Sequence, residues 1–313
     1  MAECTSNPVE DLEPSMRGTL GGGADSALAF ARWEHPAPRG RVVISHGYGE
    51  HGERYRHVAC WLNQRGWAVS SLDHRGFGRS AGRRGDSVGI AAGTEDLTLF
   101  LRQERMHDAA GRPRPEGLLE SAPPWPQILL GHSFGGLLAL LALLWHPETM
   151  DGLIVTSPAL RLRPIPIPLK LLQRLLIWVA PHRCLNLRGD KTQVCRDPVL
   201  VQRYLDDPLC HHSLSAAFLA AMEKGWEELA PFGGELDRPI LLLESGADTV
   251  TDPDGAEQLW SAVRPGLLER HRLESFYHEI LHDPDRAEAE RIADLWLDRH
   301  FPGVPAVPTQ GCS

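Results

Sequence analysis

Apolar positions along the chain fall into two kinds of run. Short stretches at 27–33, 41–45, 67–72, 128–130, 152–156, 239–244 and 267–273 read as strands, and those within 41–45, 128–130, 152–156 and 239–244 hold continuous runs of Val, Ile and Leu. Runs of this length and composition suit strands buried on both faces. Between them the spacing predicts helices over 55–65, 94–105, 137–145, 169–179, 256–263 and 286–300. Gly66 closes the first of these as a C-cap signal, and Thr94 is the expected N-cap of the second. The helix at 137–145 is too apolar to face water on any side. Strands alternating with helices demand right-handed crossovers and a largely parallel sheet, so the fold class is α/β.

The rhythm breaks between 161 and 237. Pro164, Pro166 and Pro168 interrupt the chain, an apolar helix follows at 169–179, and short helical patches come after it. The expected organisation is a core made of 17–160 and 238–301, with 161–237 inserted as a helical cap. Such a cap belongs over the carboxyl edge of the sheet, where open α/β sheets bind ligands. Residues 1–16 read as a flexible leader and 302–313, rich in Pro and Gly, as a disordered tail.

Composition narrows the function. With 42% apolar and 23% charged residues the chain is an ordinary globular protein, and its net charge of −9 argues against a nucleic-acid partner. The six cysteines, at 4, 60, 184, 195, 210 and 312, show no CxxC or zinc spacing. They read as reduced thiols rather than a disulfide framework. The first residues carry acidic groups and no apolar core, which is not a signal peptide, and no apolar stretch is long enough to span a bilayer. A cytoplasmic location, peripheral to membranes, is expected. HExxH is absent and His211-His212 has no partner pattern, so neither metal nor cofactor is expected.

The chemistry concentrates at Gly131-His132-Ser133-Phe134-Gly135-Gly136, between a strand and a helix. A strand that turns sharply into a helix forces the central serine into a strained conformation, tolerable only between residues without side chains. Its Oγ then stands at a helix N-terminus, where backbone N–H groups favour a developing negative charge. Serine needs a base, itself oriented by a carboxylate. Asp248 follows the 239–244 strand in a glycine-containing loop and is the best placed acid. Asp252 and Asp254 are rivals, with capping as the plainer reading of Asp252 before Pro253. For the base, His278 lies in the loop after the 267–273 strand. His282 abuts Asp283-Pro284 at the start of the last helix and reads as a packing or capping residue, while His271 lies inside the strand. An oxyanion hole requires two N–H donors. The amides of Phe134 and of Tyr48, in His46-Gly47-Tyr48-Gly49 after the 41–45 strand, are the candidates.

The segments HGYGEHGERY (46–55), DHRGFGRSAG (73–82), GHSFGG (131–136), SPAL (157–160), SGADTVTD (245–252) and YHEILHD (277–283) together resemble the monoacylglycerol lipase / lysophospholipase family of α/β-hydrolases. They stand in family order and at family spacing. The resemblance implies an α/β-hydrolase fold with a mostly parallel sheet and a helical cap inserted after the sixth strand. It implies a triad of Ser133, Asp248 and His278, with oxyanion amides from Tyr48 and Phe134. The expected substrate is a small lipid ester carrying one acyl chain, a monoacylglycerol or lysophospholipid. Two departures stand out: Tyr48 where the animal enzymes commonly have a small residue, and Phe77 in place of the usual His. The first is expected to narrow the acyl entrance.

Substrate contacts are read at two places. Glu50 and Arg54 either line the polar end of the site or form a salt bridge that braces their loop. In the cap, Leu169, Leu172, Leu176 and Val179 share one helical face. That face either packs on the core, or lines an acyl tunnel or touches a membrane surface transiently. A thioesterase, a peptidase, or a binding protein that kept the pocket without the chemistry are alternative readings, because fold does not settle substrate.

Overall fold

A computed structural model describes residues 11–302, apart from 22, 24–25, 87–88, 112–124, 164–166 and 187–190. The strands, in chain order, are β1 (Met16–Leu20), β2 (Leu28–Trp33), β3 (Gly40–Ser45), β4 (Trp67–Leu72), β5 (Gln127–His132), β6 (Gly152–Thr156), β7 (Cys184–Asn186), β8 (Ser213–Ser215), β9 (Ile240–Ser245) and β10 (Leu268–Leu273). Eight of them form one sheet in the order β1-β2-β4-β3-β5-β6-β9-β10. From β4 to β10 all pairs are parallel, while β1 and β2 are antiparallel to their neighbours. This is the α/β-hydrolase arrangement.

The helices are α1 (Arg56–Gln64), α2 (Ile90–Gly111), α3 (Phe134–Trp145), α4 (Ile167–Val179), α5 (Pro198–Asp206), α6 (Ala216–Leu229), α7 (Glu257–Ala262) and α8 (Ala287–His300), of which α1 and α8 cover one face of the sheet and α2, α3, α6 and α7 the other. The continuous apolar runs of the strands follow directly from this. In β3, Val42 and Ile44 pack with residues of α1 and α8, whereas Val43 faces the cluster built by α2, α3 and α6. In β5, Ile128 and Leu130 face the first cluster and Leu129 the second. A strand covered on both sides has no polar face to display. Likewise α3 is buried from Phe134 to Leu143, as its lack of any polar stripe requires.

Three expectations change. Met16 opens an edge strand paired with β2, and residues before it are tied down. Leu12 N–H donates to Arg56 O and Leu12 O accepts from the indole of Trp33, so residues 11–16 are part of the fold, while 1–10 lie outside the described residues. Most of β1 is exposed, and such an edge strand leaves little apolar signal. Secondly, Thr94 is not an N-cap. The helix begins at Ile90, and the buried Thr94 hydroxyl donates to the Ile90 carbonyl from inside it. Thirdly, the stretch after Asp252 is a 3-10 turn over Pro253–Ala256 before α7 begins.

The segment between β6 and β9 holds α4, α5, α6 and the two-stranded ribbon of β7 and β8. Of these, α6 is anchored by Phe218, Met222 and Leu229 in the core cluster beside α3. Helix α4 has no buried residue at all. Residues 303–313, which include most of the expected tail, lie outside the described residues. Among the described residues no helix is long and apolar enough to cross a membrane.

Candidate active site

Ser133 stands at the turn from β5 into α3 with φ 52° and ψ −117°. A positive φ is costly for a residue with a side chain. The crowding around it explains why glycines flank it. A Cβ on Gly131 would stand 2.7 Å from Gly135 O, and one on Gly135 would run into the carbonyls of Ser45 and His46. The turn is held from the neighbouring strand, with Ser133 N–H donating to Thr156 O at 3.0 Å.

Loops after three different strands converge on this serine. Ser133 Oγ is 2.8 Å from His278 Nε2, and His278 Nδ1 is 2.7 Å from Asp248 Oδ2. The stretch between β10 and the 3-10 turn over Ile280–His282 carries the histidine, and the loop after β9 carries the aspartate. The Asp248 carboxylate is saturated: Oδ1 accepts from the amides of Val250 (2.7 Å) and Thr251 (2.9 Å), and Oδ2 also accepts from the Thr251 hydroxyl (2.7 Å). Burial alone would raise its pKa. The adjoining imidazole and these hydrogen bonds outweigh burial and bring it down to about 2. Its rivals drop out of reach: Asp252 precedes the 3-10 turn, and Asp254 accepts from Arg272. His282 is buried against Tyr55 and His57, and His271 bonds Glu269 at the sheet edge.

The loop after β3 lies against the nucleophile. A Cβ on Gly47 would come within 3.4 Å of Ser133 Cβ and 3.0 Å of His132 Cδ2. Phe134 is the first residue of α3, so its N–H has no partner within the helix ladder. The Tyr48 side chain reaches the ribbon of β7 and β8. Its hydroxyl donates to Ser213 O, and its ring sits in a cluster with Phe77, His211 and Phe218. Phe134 packs 4.8 Å from Phe218 in the same cluster. An aromatic cluster thus packs around Phe134, the residue after the nucleophile, with Phe77 stacked on His211 at 5.1 Å.

Glu50 and Arg54 are bound to each other as a buried ion pair. Glu50 is 2% exposed and its Oε1 accepts from Gly47 N–H (2.6 Å) and Tyr55 OH (2.8 Å), while Oε2 is paired with Arg54. Arg54 also donates to Glu279 Oε2 at 3.0 Å. Burial opposes the charge on Glu50, but the guanidinium of Arg54 holds its pKa well below the usual carboxylate range. The salt-bridge alternative is the one that describes this pair, and it joins the glycine loop to the residue after His278.

The cap face also needs correction. Leu169 and Leu172 are exposed, and the residues of α4 turned inward are Gln173, Leu176 and Ile177. Val179 of the expected face is exposed as well, and with Ile167, Leu171, Leu175 and Trp178, the last 84% exposed, these residues form an outward apolar stripe. Leu169 and Leu172 therefore do not pack on the core, where the place beside α3 is taken by α6. Three contributors escaped sequence reasoning: Thr251, Glu279 and His132, whose ring is 5.0 Å from that of His278. Only Thr251 left a signal, a hydroxyl residue three positions after an aspartate in a turn.

A serine, histidine and aspartate in hydrogen-bonded sequence on an α/β-hydrolase sheet define a serine hydrolase. The sequence pattern of the family described as serine aminopeptidase, S33 matches residues 36–285, and the chain belongs to that family. Among its relatives are a monoacylglycerol lipase of Mycolicibacterium smegmatis, 29% identical with 84% of this chain and 90% of that protein covered, and the rat monoglyceride lipase, 30% identical with 83% and 82% covered. Among solved structures, a Paleococcus ferrophilus monoacylglycerol lipase is 28% identical with a TM-score of 0.70, covering 87% of this chain and 99% of that one. A Saccharomyces cerevisiae monoglyceride lipase variant bound to a substrate analogue shares the fold at a TM-score of 0.79 and 19% identity, covering 94% and 98%.

Proposed function

We propose that the protein hydrolyses the ester bond of monoacylglycerols or similar single-chain lipid esters through an acyl-enzyme. The carrying observation is the continuous hydrogen-bonded line from Ser133 Oγ through His278 to Asp248 Oδ2. Ser133 Oγ attacks the ester carbonyl while His278 Nε2 takes its proton. The C–O bond of the tetrahedral intermediate breaks and His278 returns that proton to the departing glycerol oxygen. Water then repeats the sequence on the acyl-serine, releasing the fatty acid. Asp248 keeps the imidazole oriented and offsets its positive charge. The amides of Tyr48 and Phe134 are proposed as the donors to the oxyanion.

The aromatic cluster formed by Tyr48, Phe77, Phe134 and Phe218 suits an acyl chain and offers nothing to a charged headgroup. The outward apolar stripe of α4 is proposed to rest on a membrane surface, where such substrates reside. An aminopeptidase, as the family description would have it, needs a carboxylate to hold the substrate ammonium. Glu50 and Glu279, the acids adjoining the site, are both bound to Arg54, which favours the ester reading. The test is one panel of monoacylglycerols from C8 to C18, matching lysophospholipids, acyl thioesters and aminoacyl amides, with fluorophosphonate labelling of Ser133 alongside. Preference for monoacylglycerols is expected. Faster turnover of another class would replace the substrate assignment, and failure to label Ser133 would leave a binding protein.

A further inference from the structure

On the far side of the Glu50–Arg54 pair lies a cavity of about 610 Å³ that includes none of the three triad residues. His51, Arg54, Tyr204, Asp207 and Leu209 are among its walls. At its edge three potential ligands from two parts of the chain converge. His51 follows the glycine loop of the core. Asp207 and Cys210 belong to the turn after α5, where Cys210 N–H donates to Asp207 O at 3.1 Å. One imidazole nitrogen, one carboxylate oxygen and the Cys210 sulfur all lie within 4.8 Å of one another. His51 Nε2 is 2.8 Å from Asp207 Oδ2, and Asp207 Oδ1 is fixed by the Leu209 amide at 2.8 Å. We propose that His51, Asp207 and Cys210 form a zinc site that ties the segment after α5 to the loop following the glycine turn.

The donor set supports that metal. Nitrogen, sulfur and one carboxylate are the ligands that Zn²⁺ takes in tetrahedral sites, at about 2.0–2.3 Å. Donors around such an ion stand about 3–4 Å apart, so modest rotation of the three side chains seats it. The ion displaces the imidazole–carboxylate hydrogen bond and the thiol proton, and the fourth position is left to water from the cavity. Charge balance is also suitable. The nearby Arg54 cation is answered by Glu50 and Glu279, so the carboxylate of Asp207 and a Cys210 thiolate are left to neutralise the dication. The consequence is mechanical. His211 N–H and Tyr204 OH both donate to Gly49 O, so this turn already grips the glycine loop, and a metal would lock the grip.

The experiment uses the full chain, stripped with a chelator and titrated with Co²⁺, then with Zn²⁺ in competition. A near-ultraviolet thiolate-to-cobalt band that saturates at one equivalent and is displaced by zinc is expected. Cys210→Ser should abolish the band, and Asp207→Asn, which keeps the thiol, should weaken zinc binding about tenfold or more. Far-ultraviolet circular dichroism checks that both variants fold. Absence of the band in the unaltered chain overturns the proposal. A band that survives Cys210→Ser does so too, because it assigns the thiolate to another cysteine.

Discussion

Five histidines, His46, His57, His74, His132 and His282, are buried, and burial pushes the pKa of each below the ordinary value. For His57 and His132 it falls to about 4. At His46 the hydrogen bonds require the neutral ring. His46 Nε2 accepts from the His74 amide while its Nδ1 lies 2.8 Å from Gly47 O, so a second proton on His46 would break the link between the two loops. An imidazole with a depressed folded pKa contributes stability above its unfolded value of about 6.5, and loses it as pH falls toward the folded value. For His57 and His132 the loss begins near pH 6.5 and is complete near 4. At pH 5 each has lost about 2 kcal/mol, together about 4 kcal/mol, and the other three act in the same direction. A domain's whole stability is about 5–15 kcal/mol, so the protein should stand close to unfolding at pH 5. Urea unfolding at pH 7.5, 6 and 5, at constant ionic strength, measures this through the midpoint at unchanged slope. His57→Gln, which cannot titrate, should remove about 2 kcal/mol of the pH dependence. A free energy of unfolding that stays level between pH 7 and 5 would refute the reasoning.

Other outcomes follow from the site. Ser133→Ala and His278→Ala should each lower ester turnover by about 10³-fold or more, while His282→Ala should act through stability. Steady-state rates beside a melting curve separate the two, and loss of chemistry with His282 alone would move the base. Thr251→Val removes one hydroxyl donor from Asp248 Oδ2, so its pKa should rise from about 2 and kcat should fall about tenfold, a hydrogen bond to a charged group being worth about 1.5–3 kcal/mol. An unaltered kcat would show that the two amides suffice. Replacing Leu175 and Trp178 by serine should cut sedimentation with phospholipid vesicles at least tenfold, since burying each such side chain contributes about 1.5–3 kcal/mol. Equal sedimentation would remove α4 from the membrane contact.

What could be read from the chain was whatever is encoded locally. The elbow at Ser133 needs glycines at two fixed offsets because carbonyls and side chains crowd both positions, and that demand is visible in six consecutive letters. His278 and Asp248 were legible for a related reason. Parallel strands deliver their following loops to one edge of the sheet, so a histidine just after one strand and an aspartate just after another must come close. Residues whose role depends on a distant partner gave no such mark. Glu50 and Arg54 can be seen as a local pair, but the choice between bracing and binding rests on Glu279, 225 positions beyond Arg54. Helix α4 shows the same limit. Amphipathic spacing announces an apolar stripe, yet nothing in it tells whether core, tunnel or solvent lies opposite. Here α6, with Phe218 and Met222, occupies the core position, and the stripe at Leu171, Leu175 and Trp178 is left facing outward. The grouping of His51 with Asp207 and Cys210 is the extreme case, since 156 positions separate the imidazole from the carboxylate it touches. Spacing rules for metal ligands work only where ligands share a helix or a turn. When the turn after α5 is carried onto the core by α5 and α6, proximity is a product of packing, and only coordinates display it.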